Sequence, residues 1–191
     1  MAGLTGNERT TTHLESGAYI GTKTPRGTED HRTPEKLFKG LSDLFGPFDL
    51  DAAASKENTK CESFFTHEEN AFFQDWFADK VWCNPPYHNI EQWIDTALIQ
   101  LQNNKCSTIV FLLPSNRTEQ RWFLKSIVNC SFIGFIRGRI NFEGPNQVKG
   151  SNSPSGSIVL VLGHSDIKGI GFLNRSGILQ ISRDFDEYGW C

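Results

Sequence analysis

Short apolar runs alternating with helix-period segments predict an α/β domain, three layers deep around a mostly parallel sheet. Three observations carry that expectation. Thr108-Ile109-Val110-Phe111-Leu112-Leu113 is a continuous apolar run stopping at Pro114, the pattern of a central parallel strand. Before it, Ile90, Trp93, Ile94, Ala97, Leu98 and Leu101 recur at helical spacing. Earlier still, Val81-Trp82-Cys83 is a short β-favouring run that ends in Asn84-Pro85-Pro86-Tyr87. A chain of 191 residues, 38% hydrophobic and 21% charged, suits one globular domain with a sizeable core.

In chain order, residues 1–28 are rich in Gly and Thr with little apolar periodicity, and read as a flexible arm ahead of a single domain over 29–191. Thr33-Pro34-Glu35 is a helix start, with threonine as N-cap and proline at the first helical position. Leu37, Phe38, Leu41, Leu44 and Phe45 keep one face until Gly46-Pro47 stops the helix. Phe48-Asp49-Leu50-Asp51 then reads as a short strand, and Ala52-Ala53-Ala54-Ser55 as a tight turn leading into another helix. Phe64-Phe65 and Asp75-Trp76 read as strand-end and loop pieces. Trp122, Phe123 and Ile127 point to a helix, and Phe132 to Ile136 and Ser157 to Leu162 to two more strands. Between those strands, Arg137-Gly138-Arg139 opens a polar stretch reaching Ser155, a long loop or hairpin of the kind that often carries function.

The chemistry concentrates after Cys83. Two prolines fix φ and remove two backbone donors, so the chain leaves the strand in one stiff turn. Asn84 Oδ1 and the Pro85 carbonyl can each accept an N–H from an exocyclic amine, while Tyr87 stacks on the ring that bears it. Accepting both hydrogens frees the nitrogen lone pair for attack on an electrophile, with no prior deprotonation. The competing reading is a plain Pro-Pro turn beside a buried tyrosine. Asp51, at a strand end followed by small residues, can hold ribose hydroxyls or an ammonium group. Asp75 can meet a bound adenine's amine or simply cap a helix.

Composition narrows the setting. No apolar run approaches the length of a membrane span, and the start lacks a signal-peptide pattern. Five cysteines, none in a C-x-x-C pair, point to reduced thiols in a cytosol and away from zinc. Cys83 reads as a small buried strand residue. The net charge of −3 speaks weakly against a polyanion partner, but its distribution does not. Residues 114–168 set Arg117, Arg121, Lys125, Arg137, Arg139, Lys149 and Lys168 against Glu119, Glu143 and Asp166. That basic stretch is the candidate nucleic-acid face.

Taken in order, Thr33-Pro34, the Phe48–Ser55 segment, Asn58 and Cys61, Gln74-Asp75-Trp76, Val81–Tyr87, Leu113-Pro114, Arg117-Thr118, Arg121-Trp122-Phe123 and Arg137-Gly138-Arg139 resemble the phage-type DNA N6-adenine methyltransferases, the phage Dam family. The resemblance covers roughly residues 30–162. It implies a Rossmann-like fold that uses S-adenosylmethionine to methylate adenine flipped out of double-stranded DNA, in a bacterial host's cytoplasm, with protection of phage DNA from restriction as the purpose. Asn84, Pro85, Pro86 and Tyr87 match the family's catalytic motif. Asp51, with Asp49 and Ala52, falls in its cofactor loop, Thr33 and Pro34 match a segment closing over the cofactor, and Asp75 falls near the adenine. Arg117, Arg121, Arg137 and Arg139 become the expected DNA contacts. Between Asp51 and Asn84 there is no room for a separate target-reading domain, so recognition is expected around 137–156, in a protein that acts as a monomer on a short target. The same Asn-Pro-Pro-Tyr logic also serves enzymes acting on RNA bases or protein glutamine amides, and a non-catalytic DNA-binding module is the reading from a different class.

Overall fold

The computed structural model describes residues 32–143, 149–152 and 155–183, so the 1–28 arm lies outside the described residues. The chain runs α1 (Glu35–Phe45), β1 (Leu50–Asp51), β2 (Ser63–Phe64), β3 (Lys80–Cys83), α2 (Ile90–Gln102), β4 (Thr108–Pro114), α3 (Arg121–Ile127), β5 (Cys130–Ile136), β6 (Asn141–Glu143), β7 (Lys149–Asn152), β8 (Ser157–Gly163), β9 (Gly169–Leu173) and β10 (Leu179–Arg183). An eight-stranded sheet has the order β10-β9-β5-β8-β4-β3-β1-β2, and β6 and β7 form a separate ribbon.

β4 explains the layers. All seven of its residues are buried. Ile109, Phe111 and Leu113 face the side covered by α2 and α3, where they meet Ile94, Ala97 and Trp122. Val110 and Leu112 face the α1 side with Leu37, Leu41 and Phe45. Period-two alternation sends neighbouring side chains to opposite faces, and a strand covered on both must be apolar throughout. Each such side chain contributes about 1.5–3 kcal/mol by leaving water. α1 and α2 bury the faces their spacing predicts: Leu37, Leu41 and Phe45 in one, and Ile90, Trp93, Ile94 and Ala97 in the other.

The sheet is mostly parallel, with β8 antiparallel to both β4 and β5. β10 likewise returns antiparallel beside β9. β1 pairs in parallel with β2 on one side and β3 on the other, so strand order reverses at β1. In open α/β sheets the crevice beyond the carboxyl ends at such a reversal is where ligands sit.

Three local expectations need correction. Thr33 is not a side-chain cap: Pro34 holds the cap position of α1, with no side-chain cap bond. The Thr33 hydroxyl oxygen accepts instead from Asn84 Nδ2 at 3.1 Å. No helix follows Ala52–Ser55. The chain bends and turns to β2 because Asn58 Oδ1 takes Ser55 N–H at 2.6 Å and Asp51 Oδ2 takes Lys60 N–H at 3.1 Å, local bonds that compete with helix. Finally, β9 and β10 extend the sheet where only a tail was foreseen.

Candidate active site

β3 brings Asn84 to the rim. Val81, Trp82 and Cys83 are buried, and Val81 and Trp82 pair with Leu50 and Asp51 of β1 while facing Ile109 and Val110 of β4. Cys83 is fully buried, and burial, then the charge of Asp51, pushes its thiol well above the usual range, as suits a strand residue and not a nucleophile. Beyond Cys83 the prolines carry the chain away from the sheet, and a single 3-10 turn over Tyr87–Asn89 leads into α2.

The loop is braced from two sides. Asn84 Nδ2 donates to the Thr33 hydroxyl, as above. Arg117 Nη1 donates to the Tyr87 carbonyl at 2.7 Å. Arg117 therefore supports the loop, a role its sequence position beyond β4 does not reveal. Tyr87 is half-buried, and its hydroxyl lies inside without a hydrogen-bond partner. Burial alone raises its pKa well above the ordinary phenol value.

Asp51 lies one strand over. It is 3% exposed, with Oδ1 accepting Ala53 N–H at 3.3 Å and Oδ2 accepting Lys60 N–H. Burial raises its carboxyl to about 6, opposed by those two backbone amides and by the Lys60 charge. Ala52 N–H bonds to the Trp82 carbonyl at 2.9 Å, locking the loop after β1 to the strand that carries Asn84. Asp49 is not brought to this rim. It precedes β1, at the amino end, where its carboxylate takes Lys80 N–H at 2.9 Å.

Beside these loops lies an open cavity of about 1020 Å³ whose walls include Ala54, Ser55, Phe65, Thr66 and Asp75. Asn84, Tyr87 and Asp51 do not line it; it opens on the β2 side of the loop after β1, which it reaches at Ala54 and Ser55. Asp75 stays exposed and pairs with Lys105 at 3.1 Å, while buried Trp76 anchors the segment through Nε1 to the Ala71 carbonyl at 2.9 Å. Among the described residues no cluster of side chains could hold a metal ion.

The remaining arginines sit past the carboxyl ends of β4 and β5. Arg121 opens α3, and Arg137 and Arg139 follow β5, all three exposed. Gly138 between the latter pair has φ +81°, so this piece is not extended and period-two spacing does not put the two side chains on one face. A Cβ at Gly138 would lie 3.6 Å from Arg175 Cδ, which brings Arg175, in the turn between β9 and β10, beside the pair. Sequence reading missed Arg175 because the tail carried no motif; the Asn174-Arg175-Ser176-Gly177 run, which the structure closes as a turn, is the signal that could have placed it.

Sheet order, the reversal at β1 and helices on both faces make this a Rossmann-like α/β domain. Within that class, the model of the DNA N-6-adenine-methyltransferase (Dam) family matches residues 21–183, and the chain belongs to that family. It is 31% identical over 173 residues to the DNA N-6-adenine-methyltransferase of Escherichia phage T1, covering 88% of this chain and 69% of the relative. It is 34% identical over 128 residues to the DNA N-6-adenine-methyltransferase of Haemophilus phage HP1, covering 64% of this chain and 72% of the relative.

Proposed function

We propose that the protein transfers the methyl group of S-adenosylmethionine to the exocyclic N6 amine of adenine in double-stranded DNA. The observation that carries this reading is the family match spanning residues 21–183, which includes Asp51 at the end of β1 and Asn84 at the end of the neighbouring β3. The residues present fit the cofactor. A buried carboxylate at the strand reversal suits an ammonium group, the Ala52-Ala53-Ala54 run lets a ligand approach the backbone, and the open cavity reached at Ala54, with Phe65 and Asp75 in its walls, suits a nucleoside.

Bound S-adenosylmethionine would supply an electrophilic methyl on a sulfonium. Asn84 Oδ1 and the Pro85 carbonyl accept the two N–H bonds of the amine and turn its lone pair outward, in line for attack; the nitrogen would gain the methyl as the methyl–sulfur bond breaks, and the proton it then sheds would leave to solvent. Pro85 and Pro86 keep that carbonyl in place by removing the torsional freedom and the donors that would compete for it. Tyr87 stacks on the flipped base and offsets part of the few kcal/mol that extrusion from the duplex costs. Arg117 holds the loop rigid, so most of the acceleration comes from position. Arg121, Arg137, Arg139 and Arg175 meet the phosphates. The short ribbon β6–β7 is the reader, which fits a short target, and protection of DNA from restriction would follow from that methylation.

The test is incubation of the protein with methyl-labelled cofactor and duplex DNA, RNA or protein, followed by nucleoside analysis. Label in N6-methyladenine of duplex DNA is expected, and its loss in Asn84→Ala with cofactor affinity preserved. Label in RNA or in glutamine, or normal turnover by Asn84→Ala, overturns the reading.

A further inference from the structure

We propose that Thr33 is a positioning residue that holds the Asn84 amide in place, with Nδ2 turned towards the Thr33 hydroxyl. The inference rests on the reading that Asn84 holds the target amine. An asparagine side chain has two orientations of nearly equal shape, related by exchange of oxygen and nitrogen. Only one serves an amine, because the target nitrogen needs an acceptor and the other orientation opposes donor to donor. Asn84 Nδ2 donates to the Thr33 hydroxyl oxygen at 3.1 Å across 51 residues of sequence. With the nitrogen turned to Thr33, Oδ1 lies on the opposite side of the amide.

Thr33 can hold the amide in place because its own backbone is fixed on both sides. It is 3% exposed, so water does not compete for its hydroxyl. On one side, Arg32 N–H donates to the Glu143 carbonyl at 3.2 Å and Glu143 N–H donates back at 3.1 Å, a bridge to β6 of the ribbon. On the other, the Pro34 carbonyl accepts from Leu37 and Phe38 N–H, both at 3.0 Å, starting α1. The ribbon and α1 thus clamp a residue that holds the amide.

Thr33→Val keeps the shape and removes the acceptor, while Thr33→Ser keeps the acceptor. Single-turnover methylation of duplex DNA at saturating S-adenosylmethionine should slow roughly tenfold or more in Thr33→Val, the scale of a buried bond left unmade. Affinities for cofactor and DNA should stay within about twofold of wild type, and Thr33→Ser should recover most of the rate. In the wild-type protein, NMR should find an Asn84 side-chain N–H protected from solvent exchange, a readout independent of whether the variant folds. A wild-type rate in Thr33→Val, a slow Thr33→Ser, a rate loss matched by lost cofactor affinity, or an unprotected Asn84 amide overturns the inference. Asn84→Ala separates the two levels. If it is inactive while Thr33→Val is normal, only the role of Thr33 fails. If it is active, the reading of Asn84 fails first.

Discussion

Cofactor binding should weaken about tenfold as the pH falls from 7 to 5, and the cause would be Asp51. Burial raises its carboxyl to about 6 from an ordinary 3.8. In the protein without ligand, a raised carboxyl means the protonated form is the one folding favours. That contribution to stability is full below 3.8 and is lost as the pH rises through about 6, a loss of about 3 kcal/mol by pH 7. A cation docked beside Asp51 acts in the opposite sense, favouring the carboxylate. With a pKa of about 6, roughly nine tenths of Asp51 is ionised at pH 7 and about one tenth at pH 5, and the affinity for S-adenosylmethionine follows that fraction. Calorimetry at pH 5, 6 and 7 in buffers of differing ionisation enthalpy measures both affinity and protons released, with about half a proton expected at pH 6. His67 also borders the open cavity, so Asp51→Asn, which keeps His67, is the control and should bind with no such slope. Urea unfolding gives an independent check: the stability difference between wild type and Asp51→Asn should change by about 1.3 kcal/mol between pH 5 and 7. A wild-type affinity flat across this range, or the same slope in Asp51→Asn, refutes the placement of a cation at Asp51.

Tyr87→Ala should lose most of its activity, and Tyr87→Phe far less, because the hydroxyl is buried without a partner and only the ring is offered to a base; equal loss in both, measured as kcat/KM on duplex DNA, would assign the hydroxyl a role. Arg137→Ala and Arg139→Ala should each flatten the log–log salt dependence of duplex binding by about one unit if they touch phosphate, or cost about 1–3 kcal/mol on the target sequence alone if they read a base. Binding titrations on target and scrambled duplexes at several salt concentrations distinguish these outcomes, and wild-type behaviour in both mutants would move the DNA path elsewhere.

Much of the scaffold was legible in the sequence because one physical pattern dominated each piece. A strand buried on both faces must be apolar throughout, so Thr108–Leu113 declared itself. The helical faces of α1 and α2 did the same through their spacing. The composition of the Asn84–Tyr87 turn also pointed to the rim, since two prolines cannot stay in a sheet. What stayed hidden were bonds between distant residues. Thr33-Pro34-Glu35 has the local form of a helix cap, yet the hydroxyl accepts from a residue 51 positions away. Arg117 reads as a surface cation in a basic stretch, and only folding brings it to a carbonyl 30 positions earlier. Ala52–Ser55 has fair helix propensity, but the capture of Lys60 N–H by Asp51 ties the loop back on itself. Asp49 and Asp51 flank Leu50, and only folding shows that Asp49 is taken up by Lys80 N–H ahead of β1 while Asp51 holds the loop beyond it.

The reversed strand β8 accounts for where the ribbon and the arginines sit. In a wholly parallel sheet, the strand after β5 would return through a crossover and begin at the amino end, away from the chemistry. Here β8 pairs antiparallel with β4 so that Ser157 meets Pro114, and antiparallel with β5 so that Ile158 meets Phe135. β8 therefore starts at the rim where β5 stops. The intervening chain, including the ribbon β6–β7 and the arginines at its base, has to sit on the face that carries Asn84. β9, parallel to β5, ends at the same rim and brings Arg175 with it. The topology thus places arginines, ribbon and amine-holding loop on one side of a single sheet. The Arg32–Glu143 bridge then ties the ribbon to the residue that touches Asn84. By running against β4 and β5, β8 puts the ribbon, the arginines and the Asn84 loop at one rim.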